Sequence, residues 1–186
     1  VDGCSSTSLL VRFFKFIKHP FFYYIPEREK DGYGATKKLF KKLILKQPQL
    51  VIMVDCGSTS NDAVSFLNEK NIKSIIIDHH EINRPYPKSD VIINPKKNDG
   101  YGEYDYLCAT TLTYFLLDIV NKKNNFQYEL SNLLIYVLLA SICDVMPMRK
   151  LNRIIAIDTL KKFNIKKNIS FDILFKLNNK KEKLTI

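Results

Sequence analysis

Two short runs, "QLVIMVDCGS" (residues 49–58) and "NIKSIIIDHH" (residues 71–80), constrain the fold more than any other feature of this chain. Each holds a continuous apolar stretch rather than an alternating one, and the segment between them, "NDAVSFLNEK", carries its apolar residues at helical spacing. The order is therefore strand, helix, strand. Strands that are apolar on both faces suit a parallel sheet covered on both sides. A further strand, "DVIINP", follows a Pro-containing loop.

The flanking sequence extends this pattern. Residues 4–18, "CSSTSLLVRFFKFIK", begin with Ser and Thr cap candidates, continue at helical spacing and stop at "HP". "FFYYIPER" has the aromatic content of a strand closed by Pro26, and a basic helix is expected over residues 35–46 after the turn-rich "EKDGYG". Beyond the Lys/Asn/Asp/Gly loop after residue 96, helices are expected over residues 107–120, 130–143 and 152–163, with a short one near Phe171. The expected fold class is α/β, a mostly parallel sheet flanked by helices with a helical second half, in one domain over residues 1–186.

Composition narrows the setting. With 186 residues, 46% of them apolar, the chain can bury one core of ordinary size. Its longest apolar run, "LLIYVLLASIC", falls well short of the roughly 20 residues a membrane span needs, and the N-terminus lacks the order of a signal peptide. A cytoplasmic protein with no membrane partner is expected. The chain opens at Val1 without an initiator methionine, which suggests a piece of a longer protein. Cys4, Cys56, Cys108 and Cys143 form no C-x-x-C pair and are expected to be small buried residues. The formal charge of +10 suits a polyanion such as single-stranded nucleic acid. It is carried mostly by lysine, in runs such as "KKLFKKLILK", and equally fits a solvated surface.

In an open parallel sheet, ligands bind beyond the carboxyl ends of the strands. Asp55 ends the first apolar run and Asp78, His79 and His80 end the second, so these groups should meet at one edge. Carboxylates with imidazoles suit Mn²⁺, or Mg²⁺ where carboxylates dominate. The alternative is that Asp78 caps a turn and the histidines are surface residues. Asp144 closes the apolar "LLASIC" helix and must reach a cation, a donor or water, or else sit hydrogen-bonded at the helix end.

Taken in order, "VDGCSST", "IPEREKDGYG", "VDCGS", "IIIDHH", "VIINPKK", "YLCAT" and "ICDVMPM" resemble the DHH phosphoesterase family, and within it the branch of single-strand-specific exonucleases. The triplet alone fixes only the superfamily; "P-[DE]-R" followed by "GYG", "NP" and "LC" point to the branch. The resemblance implies Asp55 bridging two metal ions, His79 and Asp144 as further ligands, His80 facing the substrate phosphate and Asp78 orienting its neighbours. Arg28 would contact phosphate or nucleic acid, or else pair with Glu27 or Glu29. The implied reaction is metal-dependent hydrolysis of phosphodiesters from the 5′ end of single-stranded DNA, in DNA repair and recombination. The alternatives are a phosphodiesterase of short oligonucleotides or cyclic dinucleotides, and a non-catalytic module that binds nucleic acid or replication partners.

Two features depart from the family. Its first motif, D-x-D-x-D-G, is represented here only by Asp2 and Gly3, so its two leading aspartates are absent from these residues; the family's C-terminal nucleic-acid-binding domain is absent as well, and the 186 residues alone are expected to be inactive or crippled. "LCATTLTYF" also holds Ala109 and threonines where a glycine-containing stretch is expected.

Overall fold

A computed structural model describes residues 1–32, 34–97, 102–164 and 168–178, with the backbone alone at Arg28. The two apolar runs form strands β1 (Leu50–Val54) and β2 (Lys73–Ile77), joined by helix α4 (Asn61–Glu69), and the third run forms β3 (Val91–Ile93). All pair in parallel, in the order β1-β2-β3. Leu50 stands opposite Lys73 and Val54 opposite Ile77. One further rung on each side fixes the edge: Asp55 N–H donates to Ile77 O (2.9 Å) and Asp78 N–H donates to Ile93 O (3.0 Å). Asp55 and Asp78 are thus the first residues past their strands, as the sequence implies.

The lack of alternation in β1 has its reason in two separate cores. Met53, with partly buried Val51, packs against α4 and α3 (Lys37–Leu43) through Phe40, Val64, Phe66 and Leu67. Ile52 and Val54 face the other way, onto α1 (Asp2–Phe16), α5 (Ala109–Asn124) and α6 (Leu134–Cys143) through Leu9, Phe13, Leu117 and Val137. Gly57, at φ 113°, lets the β1–α4 turn lie on the sheet; a Cβ there would meet Ile76 at 3.2 Å. Helix α7 (Lys150–Lys162) packs on α6, and α8 (Ile169–Leu177) brings Phe171 against Ile135.

Two expectations are corrected. "FFYYIPER" is not a strand: residues 20–27 have no regular structure, and the short helix α2 (Arg28–Asp31) follows. Side chains tether this segment instead, with Phe21 against Phe14, the Lys46 ammonium over the Phe22 ring and the Tyr24 hydroxyl donating to Asp31 at 2.6 Å. The cysteines divide: Cys108 is buried, Cys56 is partly buried, and Cys4 and Cys143 are exposed.

Candidate metal centre

The carboxyl edge of the sheet gathers Asp55, Asp78, His79 and His80, and the end of α6 adds Asp144. Asp55 has left-handed backbone, φ 57°, a conformation that Asp tolerates at modest cost and that turns the chain sharply after β1. Gly3 makes room beside it, since a Cβ at residue 3 would lie 3.2 Å from Asp55 Oδ2. Asp144 is the residue that closes α6, its N–H donating to Ala140 O at 2.9 Å.

His79 is the hub. Its Nε2 lies 3.1 Å from Asp144 Oδ2, 3.4 Å from Asp55 Oδ1 and 3.5 Å from Asp2 Oδ2. His79 Nε2 and Asp55 Oδ1 are both buried and neither makes a directed hydrogen bond. Burial opposes the charged form of His79, but the Asp55, Asp2 and Asp144 carboxylates outweigh it and raise the imidazole pKa. Two sets, Asp55/His79/His80 and Asp2/His79/Asp144, each place their ligand atoms within 4.8 Å of one another. Three carboxylates around one imidazole, with unsatisfied atoms facing inward, are the donor set a hard or borderline divalent ion needs. The residues fit such an ion. Cys56 does not join them: burial, then the charges of Asp78 and Asp55, push its thiol up to about 12.

Asp78 does different work. Fully buried, its carboxylate accepts from Ser58 N (3.0 Å), His79 N (2.8 Å) and His80 N (3.2 Å), and contacts His80 Nδ1 at 2.7 Å. Burial raises its pKa, but the donors from Ser58 and His80 prevail and the net shift is downward. Asp78 therefore holds the turn after β2 and contacts the His80 ring. His79 is buried, whereas the His80 side chain is 46% exposed and open to solvent.

Residues to which the sequence reading gave no role in the site complete the frame. Asp2 is 1% exposed and receives the N-terminus of α5: Ala109 N and Thr110 N donate to its two oxygens at 2.8 Å each, and Thr110 Oγ adds a bond of 2.6 Å. A carboxylate at a helix N-terminus satisfies orphan amides and meets the positive end of the dipole. The threonine in "LCATT" thus takes part in the frame. Asn94, of "INP", donates to Ser58 Oγ (2.8 Å) and His80 O (2.9 Å), locking the β2 and β3 ends together. Asn152, of "LNR", is 1% exposed and donates to Tyr106 O (2.7 Å) and Pro147 O (3.0 Å), tying the chain before α5 to the loop after Asp144. The apolar run "VII" that ends in Asn94 was the available signal there. The side chain of Arg28 lies outside the described residues.

Comparison with known proteins places this geometry. The family model described as "DHH family, N-terminal domain" matches residues 1–142. The single-stranded-DNA-specific exonuclease RecJ of Haemophilus influenzae is 32% identical over 164 residues, covering 83% of this chain and 28% of that protein. RecJ of Escherichia coli is 31% identical over 166 residues (83% and 29%), and RecJ of Bacillus subtilis 26% over 177 residues (95% and 22%). The chain spans less than a third of the length of these relatives. Among solved structures, an exonuclease RecJ bound to manganese superposes with a TM-score of 0.81 at 22% identity, over 95% of this chain and 44% of that one. RecJ in complex with Mn²⁺ from Thermus thermophilus gives 0.79 at 20% identity, over 98% and 26%. These two show a shared α/β fold. Because the family match runs from Asp2 through both acid-bearing strand ends, this chain belongs to the DHH family.

Proposed function

We propose that this domain hydrolyses phosphodiester bonds with a divalent metal, Mn²⁺ or Mg²⁺, and that its substrate is single-stranded DNA degraded from the 5′ end, as part of DNA repair and recombination in the cytoplasm. The observation that carries the metal-dependent part is the inward-facing set of Asp55, His79 and Asp144, joined by Asp2, with Asp55 Oδ1 and His79 Nε2 unsatisfied. The names of the relatives support the substrate and the manganese of the RecJ structures supports the ion.

In this reading Asp55, His79 and Asp144 hold metal, with Asp2 close enough to contribute. A bound divalent ion, with a second beside it in the intact protein, would lower the pKa of water and stabilise charge on the phosphoryl and leaving oxygens. The chain's own part is orientation. Asp78 accepts from His80 Nδ1–H, which leaves Nε2 as the outward atom of a half-exposed ring. From there the ring, when protonated at both nitrogens, would donate its Nε2–H to a phosphate oxygen of the substrate. Asp78 is held ionised by its donors, so the orienting contact persists across neutral pH. Arg28, one turn from "DGYG", remains a candidate for the same phosphate by its sequence position.

The test is Mn²⁺-dependent release of nucleotides from a 5′-ended single strand by the full-length protein. Asp55→Ala or His79→Ala is expected to abolish it, and normal activity in either variant would overturn the assignment. A preference for molecules of a few nucleotides would favour the short-oligonucleotide or cyclic-dinucleotide reading. Strand binding without turnover would favour the non-catalytic one, against which the presence of Asp55, His79, His80 and Asp144 together already counts.

A further inference from the structure

Four residues past His80, the loop between β2 and β3 and the chain after β3 together border a shallow, open cleft of about 670 Å³, lined by Arg84, Pro85 and Tyr86 from the first and Lys97 from the second. None of these belongs to the metal centre. The Tyr86 ring carries two cations, with Arg84 Cζ 5.5 Å and Lys97 Nζ 5.4 Å from its centroid. Among the described residues Arg84 makes no ion pair, and it is exposed. Two positive groups gathered on an aromatic face are the chemistry of a single-strand site, where bases stack on rings and cations follow the phosphates.

The cleft is fixed relative to the metal centre. Asn94 donates to His80 O, Lys97 N–H donates to Asn94 O (3.1 Å), and Lys96 pairs with Glu81 at 2.9 Å, so the chain after β3 is fastened to the chain after His80. Both segments start from the carboxyl edge of the parallel sheet, the side on which ligands bind. Four residues of fully extended chain set an upper limit of about 14 Å between His80 and Arg84. That limit keeps the site within reach of nucleotides on a strand whose end is held at His80.

We propose that Arg84, Tyr86 and Lys97 form a docking platform for a base and phosphate of single-stranded nucleic acid, beyond the unit being hydrolysed. The proposal rests on the reading of this domain as acting on single strands, and it deepens that reading. The platform favours substrates long enough to span both sites; a mononucleotide or dinucleotide at the metal centre leaves it empty. This residue set therefore selects for strand length.

The chain contains no tryptophan, so Tyr86→Trp introduces a single reporter whose emission a stacked base quenches. With the full 186-residue chain, a 5′-phosphorylated oligothymidylate of about ten nucleotides should quench the introduced indole, whereas a dinucleotide should not. Tyr86→Ala, and separately Arg84→Gln with Lys97→Gln, should weaken binding of the longer strand by about tenfold or more and leave the dinucleotide unaffected. These are surface changes, and circular dichroism with a thermal melt checks that each variant is folded. Quenching absent at saturating oligonucleotide, or affinity of Tyr86→Ala within twofold of the parent, overturns the proposal, as does equal weakening for both lengths. The proposed function fails separately, through loss of Mn²⁺ binding or turnover by the unaltered protein, because the fluorescence titration needs no metal.

Discussion

Asp55 and Asp78 stand one strand apart at the same edge of the sheet, and they live differently. Asp78 is 1% exposed, and three backbone amides and an imidazole nitrogen surround its carboxylate. Asp55 keeps a buried oxygen with no directed bond, in left-handed backbone, facing an imidazole that two other carboxylates also face. One is an acid that builds the turn; the other has a buried oxygen that no protein donor satisfies, which is why we propose it as a metal ligand. Strand ends of similar sequence, "MVDCGS" and "IIDHH", thus leave one acid without a directed bond and the other fully hydrogen-bonded, according to who donates to the acid.

Removing each acid should separate the two roles. Asp55→Ala should lower Mn²⁺-dependent hydrolysis by the full-length protein about a thousandfold or more, since a bound ion supplies several kcal/mol of transition-state stabilisation. The melting temperature of the metal-free chain should change little, because losing a buried unsatisfied oxygen offsets the lost attraction for His79 and the left-handed backbone that Ala tolerates less well. Asp78→Asn should do the reverse to the fold, costing about 2–3 kcal/mol in chemical denaturation, because the amide keeps one acceptor where two oxygens now serve four donors. If Asp55→Ala unfolds the chain or Asp78→Asn leaves it as stable as before, the distinction is broken.

The pH dependence sharpens the same contrast. The Asp78 pKa is lowered on folding, so its contribution is present above the ordinary carboxylate value of about 3.9 and is lost as pH falls through the folded value. That part of the acid lability should vanish in Asp78→Asn. The His79 pKa is raised, so in the metal-free chain its contribution is full below about 6.5 and is lost as pH rises through the folded value. A metal ion needs the neutral ring and must displace that proton, so Mn²⁺ affinity should rise with pH over the same window. Denaturation curves with and without Mn²⁺ between about pH 5 and 8 should therefore slope in opposite directions.

Smaller effects test the frame. Asn94→Ala should cost about 1–2 kcal/mol in denaturation, since Ser58 Oγ and the His80 carbonyl both lose their donor. The response to salt reports whether the lysine-rich surface matters: affinity for single strands should fall steeply between about 50 and 200 mM salt if it does, and a flat response would leave it as solvated surface.

Much of this was readable from the residues. Apolar runs that end in Asp55 and in Asp78-His79-His80 located the sheet, its parallel order and the edge where these residues meet, because strand burial on both faces leaves a direct trace in sequence. Asp144 was readable for a related reason, as a carboxylate ending a buried helix. Asp2 was not, because its partners Ala109 and Thr110 lie more than a hundred positions away and the helix end it caps exists only in the fold. "FFYYIPER" misled because strand propensity is local while a strand needs a neighbour; among the described residues none pairs with it. The cysteines misled in a similar way, since small apolar side chains fit a core but do not require one: Cys4 and Cys143 sit on exposed positions close in sequence to Asp2 and Asp144.

The most direct test is a Mn²⁺ titration of the 186-residue chain followed by electron paramagnetic resonance, which counts free ion against bound, with Asp55→Asn and Asp78→Asn beside the parent. Binding by the parent that Asp55→Asn weakens about a hundredfold, and that Asp78→Asn in its folded state weakens far less, is the predicted result. Equal affinity in the parent and Asp55→Asn would contradict it.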